Sequence, residues 1–242
     1  MIRAVLFDFD GTLYDRDAAI VRMAELQFEK FGTEFPHLNR SVFVERVVAL
    51  DDHGHGRPMG FHQRLGEELG FPRRIADELE AYFRSDYPSC CRITEDTLAS
   101  LKAMRNDGLK LGIITNGPSV WQSRKIDALG IAPLFDTIVI SGNEGVEKPD
   151  QRIFRLAMER CGVAAAESMF VGDHPEADIA GAINAGLKPV WARKDYWEVP
   201  EDVARIDRIS EVLELIAKIQ ETARSKRGIE LETEVQIVGE EG

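Results

Sequence analysis

The sequence is poor in cysteine, in basic residues relative to acidic ones, and in long apolar runs. Its three cysteines, Cys90, Cys91 and Cys161, make a poor disulfide framework because their number is odd and two are adjacent, so we expect free thiols. Apolar runs are no longer than a strand, which argues against a membrane partner. Met1 leads directly into a strand with no basic and apolar leader, so we expect a cytoplasmic protein.

Basic residues number 30 against 42 acidic ones, which gives a formal net charge of −12. This excess argues against nucleic acid as a partner. It is compatible with a small phosphate ester as substrate, because a metal ion and one lysine can reverse the charge of a site locally. With 242 residues, of which 44% are apolar, the chain can bury a sizeable core. A monomer and a homodimer both remain open.

Five short apolar runs have the character of buried parallel strands, and helical patterns separate the last four. The runs are Arg3–Phe7, Leu109–Thr115, Thr137–Ser141, Ser168–Gly172 and Leu187–Ala192. Alternation of strands and helices is typical of a parallel sheet with helices on both faces. The sequence therefore predicts an α/β fold with a doubly wound parallel sheet.

Residues 14–92 interrupt this alternation, because they contain helical patterns and no convincing strand. The predicted helices are Ala18–Phe31, Arg40–Leu50, Met59–Leu69 and Arg73–Ser85. The stretch is too long for a crossover helix, so we predict an inserted all-α cap domain that acts as a lid. The predicted domains are an α/β core of residues 1–13 and 93–208 and a helical cap of residues 14–92.

The C-terminal segment, residues 209–242, follows the predicted core. Residues from Ser210 to about Lys226 have the pattern of an amphipathic helix. Strict alternation of apolar and polar residues from Ile229 to Ile237 is typical of a half-exposed strand. An added edge strand, a pairing surface for another chain and an acidic disordered tail all remain open for residues 228–242.

The residues suited to chemistry follow the ends of predicted strands, where ligands bind in open parallel sheets. Asp8 and Asp10 leave the first strand two residues apart and precede a Gly-Thr turn, which suits a metal-assisted nucleophilic site. The run Thr115-Asn116-Gly117 ends the second strand ahead of a helix N-terminus and can cradle an anion. Lys148 follows the third strand, and Asp173 and Asp178 follow the fourth.

Taken in this order, the motifs D-F-D-G-T, T-N-G, K-P and G-D-x-x-x-x-D resemble the signature of the haloacid dehalogenase-like hydrolase superfamily over residues 8–178. The insertion after the first motif is similar to that of members with a helical cap. Among these, the chain most resembles phosphatases of small metabolites, including nucleotide and sugar-phosphate phosphatases. The resemblance implies a Rossmann-like core and a Mg²⁺-dependent enzyme that hydrolyses a small phosphorylated metabolite.

The resemblance also implies a role for each residue of the motifs. Asp8 attacks phosphorus to form an aspartyl phosphate, and Asp10 serves first as general acid and then as general base. The transferring oxygens are held by Thr115, Asn116, Gly117 and Lys148. The metal ligands are the Asp8 and Asp173 carboxylates and the Asp10 carbonyl. Asp178 holds Lys148 or a metal-bound water, although an acid in the first turn of a helix is also favourable by itself.

A loop of the predicted cap carries His53, His55 and Arg57 among glycines. A solvated connection, a substrate-recognition loop and a metal site remain open for it. For the whole chain the alternatives are a 2-haloacid dehalogenase, a phosphomutase of the same superfamily, and a catalytically silent binding protein on the same fold. Asp10 argues against a dehalogenase, because those enzymes typically lack this second aspartate.

Overall fold

The structure is a computed structural model that describes residues 1–54, 60–199, 201–222 and 225. The chain divides into two compact units. The core unit comprises Met1–Leu13, Thr94–Ser119 and the described residues from Ile131 onward. The helical unit comprises the described residues of Tyr14–Ile93 together with Val120–Gly130. The domain boundaries derived from the sequence stay a prediction.

A six-stranded sheet forms the centre of the core unit, in the order β3-β2-β1-β4-β5-β6. Every neighbouring pair is parallel. The strands are β1 (Ala4–Phe7), β2 (Lys110–Thr115), β3 (Thr137–Ile140), β4 (Ser168–Gly172), β5 (Lys188–Ala192) and β6 (Ala204–Ile206). This confirms the predicted fold class. The sixth strand was not predicted, because β6 has three residues and only Ile206 is buried.

Helices connect the strands of the core unit and build the helical unit. In chain order they are α1 (Arg16–Phe31), α2 (Arg40–Asp51), α3 (Phe61–Leu69), α4 (Arg73–Cys90), α5 (Glu95–Asn106), α6 (Ser119–Leu129), α7 (Ser141–Glu144), α8 (Gln151–Cys161) and α9 (Gly181–Asn184). A π-helical segment, Pro175–Ala180, precedes α9. Residues 211–222 are also helical, within the range predicted for a C-terminal helix.

Helix α8 shows why the strands appear in the sequence as continuous apolar runs. Its residues Ile153, Phe154 and Ala157 are buried in one cluster with side chains from four strands, namely Leu6, Ile114, Val139 and Phe170. Helices cover both faces of a sheet of this kind, so consecutive strand residues are buried rather than alternate ones. Complete burial of each large side chain stabilises the fold by about 1.5–3 kcal/mol.

Helix α6 follows β2 in the chain but packs within the helical unit. Trp121 stacks on Phe83 with ring centroids 5.5 Å apart. Arg124 donates hydrogen bonds to the carbonyls of Arg84 at 2.6 Å and Ser85 at 2.7 Å. The first of these carbonyls would ordinarily accept from residue 88, which is a proline without an N–H. Arg124 therefore supplies the hydrogen bond that the proline removes from α4.

Two structural expectations concern membrane spanning and the C-terminal segment. In the part of the chain that the structure describes, no helix has the length and apolar character needed to cross a membrane. The C-terminal helix buries Val212 and Ile216. The alternating segment Ile229–Ile237 lies outside the described residues, so its structure stays a prediction.

Candidate active site

The site forms at the carboxyl edge of the sheet, where β1 lies between β2 and β4. Parallel register pairs Phe7 with Ile113 on β2 and with Val171 on β4. The Asp8 N–H continues this ladder by donating to the Val171 carbonyl at 2.8 Å. Thr115 is the last residue of β2 and Asp173 directly follows the last residue of β4, so both lie at the edge where Asp8 leaves the sheet.

Lys148 is the cation of the site, and its side chain is only 3% exposed. Its Nζ donates to Asp8 Oδ1 at 2.5 Å and to Asp178 Oδ1 at 2.6 Å. Burial by itself lowers the pKa of Lys148, but the carboxylates of Asp178 and Asp8 outweigh burial and raise that pKa above its ordinary value. Lys148 therefore stays charged at any physiological pH.

Three carboxylates surround this lysine. Oxygen atoms of Asp8, Asp173 and Asp178 all lie within 4.8 Å of one another. Burial raises the pKa of Asp8 to about 7; Lys148 opposes this shift, while Asp178 and Asp10 add to it. The pKa of Asp173 is raised well above its ordinary value, first by burial and then by the charges of Asp8 and Asp178. The Lys148 ammonium group by itself does not compensate the buried Asp8 and Asp178 together with the partly exposed Asp173.

The chemistry of this cluster fits a divalent cation. Its donors are all carboxylate oxygens, the hard ligands that Mg²⁺ prefers. In the described part of the chain, Oδ2 of Asp8 and Oδ2 of Asp173 accept no hydrogen bond, so both can bind a metal. Asp178 differs, because Lys148 and the His174 N–H, at 3.0 Å, engage both of its oxygens. The Asp10 carbonyl as a further ligand stays a prediction.

Gly11 keeps the turn after β1 close to Asp173. Its φ is +87°, and a Cβ atom at this position would lie 2.3 Å from Asp173 Oδ2. A side chain here would therefore be strained and would also displace the carboxylate. Thr12, the next residue, places its Oγ1 3.5 Å from Asp173 Oδ1. Asp10 precedes this turn, is partly exposed, and lies close enough to Asp8 to raise its pKa.

The second and third motifs are held together by hydrogen bonds that sequence reasoning missed. Asn116 Nδ2 donates to the Lys148 carbonyl at 2.9 Å, and the Lys148 N–H donates to Asn116 Oδ1 at 2.9 Å. The Gly117 N–H donates to Ser141 Oγ at 2.9 Å. Asn116 thus clamps the backbone of Lys148. The expected phosphate contacts of Asn116, Gly117 and the buried Thr115 stay predictions.

The fourth motif continues into the π-helical segment through a side-chain cap. His174 Nδ1 accepts hydrogen bonds from the Glu176 and Ala177 N–H groups, both at 3.1 Å. A histidine directly before Pro175 at the start of a helix is the sequence signal that could have indicated this cap. The cap fixes the turn between Asp173 and Asp178.

The predicted specificity loop is described only at its start. His53 Nδ1 lies 3.0 Å from Asp17 Oδ2 within the helical unit, and its φ of 51° is in the left-handed region. His55 and Arg57 lie outside the described residues. A role for His53, His55 and Arg57 in substrate recognition stays a prediction.

Comparison with known proteins gives consistent matches. The family model "haloacid dehalogenase-like hydrolase" matches residues 2–186. The chain is 33% identical to glyceraldehyde 3-phosphate phosphatase of Methanopyrus kandleri, over 90% of this chain and 99% of that protein. It is 35% identical to pyrimidine 5'-nucleotidase YjjG of Escherichia coli, over 87% and 95%. A solved 2-haloacid dehalogenase from Pseudomonas syringae pv. Tomato has a TM-score of 0.60 at 27% identity, over 90% and 99%.

Proposed function

The chain belongs to the haloacid dehalogenase-like hydrolase family and is a phosphoric monoester hydrolase, and we propose that Mg²⁺ and an aspartyl phosphate serve its reaction. We propose a small phosphorylated metabolite of the nucleotide or sugar-phosphate type as its substrate. The observation that carries the proposal is the buried Asp8 carboxylate, held by Lys148 at 2.5 Å beside Asp173. In this proposal residues 14–92 are the cap and determine substrate choice.

Charge is the first obstacle to the reaction. A carboxylate and a phosphate group about 4 Å apart repel by roughly 4 kcal/mol per pair of charges at an effective dielectric near 20. Lys148 offsets part of this repulsion, because its ammonium group already lies against Asp8. Mg²⁺, held by Asp8, Asp173 and the Asp10 carbonyl, would supply the remaining positive charge and orient the phosphate.

The first chemical step transfers the phosphoryl group to Asp8. A carboxylate oxygen of Asp8 forms a bond to phosphorus while the bond from phosphorus to the leaving oxygen breaks. Asp10 gives its proton to that leaving oxygen, a contribution of about 10²–10⁴-fold for a positioned general acid. Thr115 and Lys148 hold the oxygens of the transferring group.

The second step releases inorganic phosphate and restores the enzyme. Asp10, now ionised, takes a proton from a water molecule, whose oxygen attacks the phosphorus of the aspartyl phosphate. The bond between phosphorus and the Asp8 oxygen breaks, and Asp8 is a carboxylate again. Asp178 keeps Lys148 in place through both steps, since the two groups are ion-paired at 2.6 Å.

The test is release of phosphate from para-nitrophenyl phosphate and from a panel that includes glyceraldehyde 3-phosphate and pyrimidine nucleoside monophosphates. We expect release that stops with EDTA and returns with Mg²⁺. Release of chloride from 2-chloropropionate, measured in parallel, tests the dehalogenase alternative. Chloride release without phosphate release would overturn the proposal, and so would phosphate release that EDTA leaves unchanged.

A further inference from the structure

Trp191 reaches the backbone of Asp173 from the neighbouring strand. Parallel register pairs Trp191 on β5 with Gly172, the last residue of β4. The indole N–H of Trp191 donates to the Asp173 carbonyl at 2.8 Å, and the residue is only 4% exposed. A buried donor at this distance makes a well-formed hydrogen bond.

Asp173 has few other fixed contacts. Within the described ranges its only other hydrogen bond is the one from Thr12 Oγ1, whose 3.5 Å is the outer limit for such a bond. The residue after it is well held, because His174 N–H donates to Asp178 and His174 Nδ1 caps the segment that follows. The carbonyl bond from Trp191 is therefore the main restraint on Asp173 itself.

The Trp191 ring is rigidly packed. It belongs to a small buried apolar cluster with Ile179 and Val203. The guanidinium carbon of Arg205 lies 5.6 Å from the ring centroid, and Arg205 is the register partner of Trp191 on β6. Because the ring is buried among these neighbours, its N–H keeps a fixed direction.

We propose that Trp191 is a positioning residue that holds Asp173 where it can bind the divalent cation. The inference rests on the proposed function, since it requires Asp173 to be a metal ligand. Groups that orient the ligands of a metal typically change its affinity by about 10–100-fold when they are removed. Trp191 would act on cation binding through the Asp173 backbone and touch neither the cation nor the substrate.

The test is calorimetric titration of Mg²⁺ into the metal-free protein. Trp191→Phe keeps an aromatic ring and removes the N–H, and we expect the Kd for Mg²⁺ to rise about tenfold. Val203→Ala is the matched control, because it loosens the same apolar cluster and leaves the hydrogen bond to Asp173 intact. We expect the control to lower the melting temperature and to leave the Kd for Mg²⁺ unchanged.

The dependence of turnover on the Mg²⁺ concentration gives a second readout. In Trp191→Phe, turnover should recover at saturating Mg²⁺, because only the placement of a ligand is impaired. If this variant does not fold, benzothienylalanine at position 191 keeps the shape of tryptophan with sulfur in place of the N–H. Wild-type affinity in a folded variant would overturn the inference alone. Failure of the wild-type protein to bind any divalent cation would overturn the proposed metal site and the inference with it.

Discussion

Replacement of Lys148 by methionine should destabilise the metal-free protein strongly. Lys148 forms ion pairs with Asp8 at 2.5 Å and Asp178 at 2.6 Å, and the three side chains are 3%, 9% and 1% exposed. Methionine keeps an unbranched apolar chain of similar length and removes the charge. The variant therefore leaves two buried carboxylates next to each other, with Asp173 close to both.

The expected loss follows from burial. Two carboxylates about 4 Å apart repel by roughly 4 kcal/mol at an effective dielectric near 20. Removal of one partner from a buried ion pair costs about 3–5 kcal/mol. We expect the free energy of unfolding at pH 8 to fall by about 3–5 kcal/mol, a large fraction of the 5–15 kcal/mol typical of a folded protein.

The loss should be smaller at acidic pH. Burial raises the pKa of Asp8 to about 7 in the folded protein, against a value near 3.9 in an unfolded chain. A carboxyl whose pKa is raised by folding stabilises the fold while protonated, and this stability disappears as the pH rises through the folded pKa. In Lys148→Met the opposing lysine is gone, so protonation of Asp8 and Asp173 should recover much of the lost stability at pH 5.

Urea denaturation at pH 5 and pH 8, in the presence of EDTA, measures both effects. Lys110→Met is the matched control, because Lys110 also pairs with an aspartate, Asp136, at 2.9 Å but is 52% exposed. An exposed pair contributes about 0–1 kcal/mol, and the control should show little change with pH. A loss of stability in Lys148→Met no larger than in Lys110→Met, or equal at both pH values, would refute the predicted effect of the buried carboxylates.

Three further outcomes are expected. Asp10→Asn should slow aspartyl-phosphate formation from an alkyl phosphate by about 10²–10⁴-fold and from para-nitrophenyl phosphate far less, because nitrophenolate needs little protonation. Equal losses in single-turnover rates would remove Asp10 from the acid role. Asn116→Asp loses the donor to the Lys148 carbonyl and should lower kcat/KM roughly fivefold, the equivalent of about 1 kcal/mol; an unchanged kcat/KM would contradict the clamp. Mg²⁺ binding at pH 6.5 should release protons, because the pKa values of Asp8 and Asp173 are raised. A binding enthalpy independent of the buffer's ionisation enthalpy would count against this.

Local patterns in the sequence predicted most of the sheet. The strands of the sheet centre are buried on both faces, so their apolar runs stand out without any knowledge of their partners. Helix α4 shows the limit of such patterns, because it continues to Cys90 although Pro88 favours an earlier end. The compensating donor, Arg124, lies about forty residues further along the chain, and only the packing of the helical unit brings the two together.

In the candidate site, too, some features follow from local sequence patterns and others depend on contacts between distant residues. Strand ends in a parallel sheet meet at one edge, so the motifs alone predict that Asp8, Thr115 and Asp173 lie together. The clamp from Asn116 and the indole bond from Trp191 depend on register and on side-chain direction. Trp191 carries no motif, and its position in an apolar run indicates packing only. Contacts of this kind become visible once the three-dimensional arrangement is known.

The most direct test of the proposed chemistry is mass spectrometry of the enzyme after rapid acid quenching during turnover of the best substrate found in the panel. We expect one phosphoryl group on the peptide that contains Asp8, and none in Asp8→Asn, which should fold and lack turnover. The phosphoryl group should appear before inorganic phosphate and disappear as phosphate is released. Phosphate release with Asp8 unmodified throughout, or turnover retained in Asp8→Asn, would contradict the covalent mechanism.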